Sequence, residues 1–373
     1  RQLDGCDIAT TRIAGSAIAA AWDSTSDALR TALSFTADRL RSFHDAQRET
    51  APRGDAMARL VPQPLRRAAC YVPGGRAAYP STVLMSVIPA QVAGVPSIAV
   101  ASPPDANGSV HPLVLAACHL LGVDEVHAMG GAQAIAALAY GTETVQQAAK
   151  IVGPGNAYVT LAKHEVSTST GIDQLAGPSE IVVVASRGAE PELIAADLVS
   201  QLEHDPLAWA LCLTDDAALA RAVQTAFGSA AGGAARSGII AEAAGRHAAV
   251  VVCESMHEAL AESDAFAPEH LSLQGEAAES LSDSVTAAGA VYCGRWSPVS
   301  LGDYIAGPNH TLPTQGAARH RGPLSVLDFM RWPAVVRFDE ATYRTLAPTA
   351  CVLAEAEGLG AHETALRARL GAA

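Results

Sequence analysis

From residue 69 to residue 293, short apolar runs alternate with helical stretches, and no other feature of the chain restricts its fold as much. The runs include Ala69-Cys70-Tyr71-Val72, Ser97-Ile98-Ala99-Val100-Ala101, Lys150-Ile151-Val152, Ile181-Val182-Val183-Val184-Ala185 and Ala248-Ala249-Val250-Val251-Val252. Between them lie helical patterns of roughly ten residues, such as Ser81 to Ala93, Ala132 to Tyr140 and Pro191 to Leu202. Strands alternating with helices predict parallel sheets covered on both faces. The alternation restarts after Gly177-Pro178-Ser179-Glu180. The expectation is therefore an α/β protein with two successive Rossmann-like units, residues 69–180 and 181–322. N-terminal helices (1–68) are expected to pack on the second unit. A C-terminal tail (323–373) reads as a helix from about Thr342 to Leu370, broken near Gly358-Leu359-Gly360. Residues 49–64, polar with Pro and Gly, read as a loop.

The formal net charge of −13 argues against nucleic-acid and anionic-membrane partners, since both need a basic footprint. No apolar run approaches membrane-spanning length, and no signal peptide is expected ahead of the first helix. The seven cysteines are scattered and show no CxxC spacing; most sit in apolar surroundings. They read as reduced, partly buried thiols of a cytoplasmic protein. The chain begins at Arg1, which suggests a trimmed version of something longer.

Three glycine turns follow strands: Tyr71-Val72-Pro73-Gly74-Gly75, Gly130-Gly131-Ala132-Gln133 and Gly153-Pro154-Gly155-Asn156. A parallel sheet puts all three at one edge, where helix N-termini offer free N–H groups to a pyrophosphate-bearing cofactor. None is a GxGxxG or phosphate-loop fingerprint, and glycines that simply permit tight turns explain the pattern equally well.

Gln201 and His204 close a helix three residues apart, so they project from one face and can start a metal site. A Gln and a His near a helix end are more often surface polar groups. Glu269-His270 places a carboxylate beside an imidazole, the standard pair for proton transfer. Gly302-Asp303-Tyr304 and Gly307-Pro308-Asn309-His310 read as a binding loop, and Glu357 and His362 add a further carboxylate and imidazole. Gln201, His204, Asp303 and His362 together make an N/O set suited to zinc with room for substrate. Their spacing along the chain does not establish that they converge.

These stretches, in this order, resemble the histidinol dehydrogenase family. The resemblance is carried by Gly130 to Glu143, Lys150 to Asn156, Ala176 to Glu180, Ser200 to Asp205, Pro268 to Leu271 and Asn309 to Thr314. It implies a zinc-dependent, NAD-linked homodimer that oxidises an amino alcohol to a carboxylate in two hydride transfers through an aldehyde, in amino-acid biosynthesis. On it, Gln201, His204, Asp303 and His362 fall on the zinc ligands, with His362 donated by the partner subunit. Glu269 and His270 fall on the acid–base pair. Ser179, His310 and Glu357 fall on substrate contacts, and Tyr71, Gln133 and Asn156 on cofactor contacts. Two departures stand out: a shorter start, and the basic run Arg319-His320-Arg321, which points to oxidation of another amino or polar alcohol as the alternative.

Overall fold

The computed structural model describes residues 10–48, 54–55, 57–74 and 78–371. Gly75, Cys6 and the start of the expected 49–64 loop lie outside them. The chain forms two compact units. The first comprises residues 1–49 and 64–330, the second residues 50–63 and 331–373.

In the first unit, helices α1 (Gly15–Asp23) and α2 (Asp27–Arg48) come first. In the second unit, β1 (Ala58–Leu60) pairs antiparallel with the late strand Ala334–Val336. After the short strand β2 (Gln63–Pro64), the first sheet contains β3 (Ala68–Tyr71), β4 (Ile98–Ser102), β5 (Glu125–Ala128), β6 (Lys150–Val152) and β7 (Gly171–Ile172). Its strand order is β5-β4-β3-β6-β7, parallel throughout. Helices α3 (Pro80–Ala93) and α4 (Pro112–Leu120) cover one face, and α5 (Gly131–Tyr140) and α6 (Ala157–Val166) the other. The pleat sorts the side chains. Ala68 and Cys70 face the α3/α4 core, while Ala69 and Tyr71 face the α5/α6 core.

The second sheet repeats this plan with β8 (Glu180–Ala185), β9 (Trp209–Thr214), β10 (Ala248–Val252), β11 (His270–Gln274) and β12 (Ala290–Cys293). They are ordered β10-β9-β8-β11-β12 and all parallel. Ile181 and Val183 pack against Ile194, Leu198 and Leu202 of α7 (Pro191–Leu202), with α8 (Ala217–Gly233) and α9 (Ser237–His247) beyond. Val182 and Val184 pack on the other face against Met256 and Leu260 of α10 (Met256–Phe266). Each buried aliphatic side chain contributes about 1.5–3 kcal/mol.

Two expectations are corrected. The N-terminal helices do not pack on the second sheet; α1 lies on α4 and α2 on α3. Ile13, Ile18, Leu33 and Leu40 join the first sheet's core. Just ahead of α1, Arg12 bridges His127 of edge strand β5, with Ile13 N–H donating to the Val126 carbonyl at 2.8 Å, which commits both helices to that side. The tail also begins later than residue 323, because Leu324, Val326 and Phe329 are buried in the first core. The second unit holds two helices, Glu340–Ala356 and Gly360–Leu370, where the sequence reads as one helix broken near Gly358-Leu359-Gly360. Among the described residues, no helix is long and apolar enough to cross a membrane. The described cysteines are all free and, except Cys293, buried.

A polar cluster locks the entry side of the first sheet. Buried Arg67 donates to both carboxylate oxygens of Glu125 and to Ser97 Oγ. This bidentate bond holds the Glu125 carboxyl down at about 2. The depressed value sets the sign: Glu125 stabilises the fold above its unfolded pKa, near 4.5, and that contribution disappears as pH falls from there toward 2. We expect it to be on the order of 2 kcal/mol after allowance for partial exposure. Urea unfolding of wild type and Glu125→Gln between pH 6 and pH 3 checks this; the difference between them should shrink as pH falls.

Candidate active site

The expected cofactor and acid–base residues lie at strand ends of the two sheets. In each sheet the order reverses next to the first strand, between β3 and β6 and between β8 and β11. The glycine turns leave the carboxyl ends of β3, β5 and β6, which is where open α/β sheets bind ligands. In the second sheet the chemistry lies at the opposite end, since Glu180, Glu269 and His270 stand at the amino ends of β8 and β11. The link 173–179, between the end of β7 and the start of β8, joins the carboxyl edge of one sheet to the amino edge of the other.

Glu180 organises the pair. Its N–H donates to Glu269 Oε2 at 2.9 Å, and its own Oε2 accepts from the Glu269 N–H at 3.3 Å. Glu180 Oε1 accepts from the Gln315 N–H at 2.9 Å. The Glu180 carbonyl lies 2.9 Å from His270 Nδ1. A carbonyl only accepts, so Nδ1 carries the hydrogen and Nε2 of the neutral ring presents its lone pair. That Nε2 is buried and has no hydrogen-bond partner, and it sits 3.9 Å from Asp303 Oδ1. Burial lowers the His270 pKa below its ordinary value, with Asp303 opposing, which keeps the ring neutral. Burial pushes the Glu269 carboxyl well above the usual range, and the nearby Glu180 and Asp303 charges add to the rise. A raised carboxyl beside a neutral imidazole is the arrangement general acid–base chemistry requires.

Asp303 lies on α11 (Val299–Tyr304), which packs against α7, the helix carrying buried Gln201. His204 follows α7 and is exposed, near enough to His270 and His310 to disfavour a positive charge on either. His310 donates from Nδ1 to the Asp303 carbonyl at 2.9 Å, which turns its Nε2 toward Thr82 Oγ1 at 3.5 Å. The His310 segment is anchored by Asn309 Nδ2 to the Met85 carbonyl of α3. His204, His270, Asp303 and His310 thus belong to one electrostatic cluster. Among the described residues, no three His, Cys, Asp or Glu side chains close on a single point as a metal cage would. Gln201 and Asp303 lie on two packed helices and His204 just past the first, with the orphaned His270 nitrogen 3.9 Å from Asp303 Oδ1. By type, amide, imidazole and carboxylate donors are those that zinc takes. A groove of about 820 Å³, lined by Tyr79, His204, Tyr304 and one face of α2, opens beside His204.

Ser179 is half-buried next to Glu180. Glu357, which ends the helix Glu340–Ala356, and His362, in the helix Gly360–Leu370, belong to the second unit and are exposed. The expected cofactor residues share the first sheet's carboxyl edge. Tyr71 is buried, and its hydroxyl accepts from the Gly131 N–H at 3.2 Å. Gln133 is exposed in the first turn of α5. Asn156 also has a local role that sequence reading did not assign: its Oδ1 caps α6 by accepting from Tyr158 and Val159 N–H at 3.1 Å.

The sequence reading missed the roles of Glu180 and Tyr292. Glu180 could have been found as a lone carboxylate opening an otherwise apolar strand. Tyr292 stands with its ring 6.1 Å from that of His270, and Gly302 leaves room for its hydroxyl beside Asp303. The two arginines of the basic run are exposed but bond to backbone carbonyls. Arg319 donates to the Gly316 and Ala265 carbonyls and Arg321 to the Asp173 carbonyl.

Two five-stranded parallel sheets, with a buried carboxylate–imidazole pair at the amino edge of the second, have the build of an α/β enzyme. The model of the histidinol dehydrogenase family matches residues 1–370. The chain is 48% identical over 355 residues to a histidinol dehydrogenase of Parasynechococcus marenigrum (strain WH8102), covering 94% of this chain and 81% of that one. It is 46% identical over 376 residues to one from Caulobacter vibrioides, covering 99% and 87%. The crystal structure of histidinol dehydrogenase from Elizabethkingia anophelis superposes with a TM-score of 0.94 at 36% identity, covering 99% of this chain and 86% of that one. The chain belongs to the histidinol dehydrogenase family and is an oxidoreductase.

Proposed function

We propose that this enzyme oxidises L-histidinol to L-histidine through histidinal, in histidine biosynthesis, using two NAD molecules and a zinc ion. The observation that carries the reading is His270, fixed through Nδ1 on the Glu180 carbonyl with its buried Nε2 unpartnered and aimed toward Asp303. The shared name of the relatives supports the substrate. Gln201, His204 and Asp303 would hold the zinc, with His362 supplied by the second copy of a homodimer. When bound, the nicotinamide takes up hydride and the zinc orients the substrate's imidazole and amine.

The chain's own residues do the rest. His270 Nε2 takes the hydroxyl proton as the carbon loses hydride, which leaves the aldehyde. Glu269 takes a proton from water as the water oxygen bonds to the aldehyde carbon. After releasing its first proton to solvent, His270 takes one from the hydrate as the second hydride departs, and the product is the carboxylate. Ser179 and His310 would orient the substrate, and Glu357, in the second unit, suits an ammonium group by its charge. Tyr71, Gln133 and Asn156 line the cofactor's path. The enzyme would work in the cytoplasm, where its buried thiols stay reduced. Because Arg319 and Arg321 are engaged with backbone carbonyls, the basic run gives no support to a different alcohol.

NADH formation with L-histidinol, before and after dialysis against a chelator, tests the reading. Activity should vanish on metal removal and return with zinc. Turnover untouched by exhaustive chelation would overturn the metal role, and no NADH from histidinol would overturn the substrate.

A further inference from the structure

We propose that the Lys163–Asp173 ion pair is a positioning device that holds the Gly153–Asn156 turn in the shape that receives the cofactor. The proposal rests on NAD lying across that turn. Both side chains are buried, Lys163 at 1% and Asp173 at 7% exposure, and proton transfer uses neither. A buried ion pair is a weak source of net stability, because desolvation offsets its attraction. What this pair does is local. Lys163 Nζ donates to the Gly153 carbonyl at 3.0 Å as well as to Asp173 Oδ1. Asp173 Oδ2 accepts from the Gly153 N–H at 2.7 Å. The two members of one pair thus hold both backbone polar groups of one glycine.

Gly153 has φ +110°, and a Cβ there would run into the Tyr71 carbonyl, so the turn is pressed against the end of β3. Lys163 lies on α6, the helix this turn opens, and Asp173 follows β7. The turn is therefore fixed by α6, by β3 and by the end of β7. Gln174 N–H also donates to Asp173 Oδ1 at 2.6 Å, while the Gln174 side-chain amide holds the Leu312 carbonyl by a bond that involves neither member of the pair. An apolar pair could fill the volume and keep the fold. It could not hold the Gly153 N–H and C=O, which would then shift the turn to find other partners.

The test compares the zinc-loaded wild type with Asp173→Asn, Lys163→Met and the double variant Lys163→Met/Asp173→Leu. Thermal unfolding, NAD titration by calorimetry, and the KM values for NAD and histidinol are measured on each. The double variant should recover the melting temperature lost in Lys163→Met, while its NAD affinity stays about 10- to 100-fold weaker. Its KM for histidinol should remain near that of wild type. Recovery of NAD affinity together with the melting temperature would overturn the proposal, as would equal losses for both substrates. If the double variant does not fold, Asp173→Asn decides alone: a selective loss for NAD supports the clamp, and none refutes it. Failure of the wild type to bind NAD would sink the cofactor reading itself, before any variant is compared.

Discussion

Replacing His270 with Gln should lower kcat about 10²- to 10⁴-fold, the usual worth of a positioned general base, with zinc content unchanged. The expectation follows from tautomer and burial together. A Gln side chain can still donate to the Glu180 carbonyl, so the strand ends stay in place. It offers no basic lone pair where His270 Nε2 stands buried and unpaired. Burial lowers the His270 pKa from 6.5, so the ring is already neutral above that value. Protonation of His270 should therefore contribute to the loss of wild-type activity only below about pH 6.5, and the variant should lack that contribution. A variant with near-normal kcat would remove His270 from the chemistry.

The Glu269→Gln variant should stall after the first oxidation. A glutamine oxygen can still accept the Glu180 N–H, now made at 2.9 Å, so the local hydrogen bonding is kept. What is lost is the carboxylate that takes a proton from water. The second oxidation should slow about 10²- to 10⁴-fold, with aldehyde accumulating to be trapped by semicarbazide. In rapid-mixing experiments NADH should level at one equivalent per histidinol. A full second equivalent at the wild-type rate would show that another group activates the water.

The architecture was legible because the strands carry their own signature. Ile181 to Ala185 is apolar at every position, and such a run is stable only between two helical layers. Helix α7 was readable to its ends, since Pro191 opens it and its apolar stripe stops at Leu202. Helix α10 was overlooked although Ser255 marks its start, its hydroxyl accepting from the Glu258 N–H at 3.2 Å. The N-terminal helices were assigned to the wrong sheet for a simple reason. An amphipathic stripe shows which face is buried but not what buries it, and the deciding contact, Ile13 to Val126, spans more than a hundred residues.

In the site, Glu269-His270 stood out because a carboxylate and an imidazole are adjacent in sequence. Their organiser did not, because Glu180 meets Glu269 across 89 positions and acts as much through its backbone as through its carboxylate. The Lys163–Asp173 pair was invisible for the opposite reason. A Lys near the end of one helix and an Asp past the next strand look like ordinary surface charges until the fold buries both.

The most direct test of the account is the ratio of NADH formed to L-histidinol consumed by the zinc-loaded wild-type enzyme, with the product identified. The account predicts two NADH for each L-histidine released. One NADH with histidinal as the final product, or no NADH at all, would contradict it.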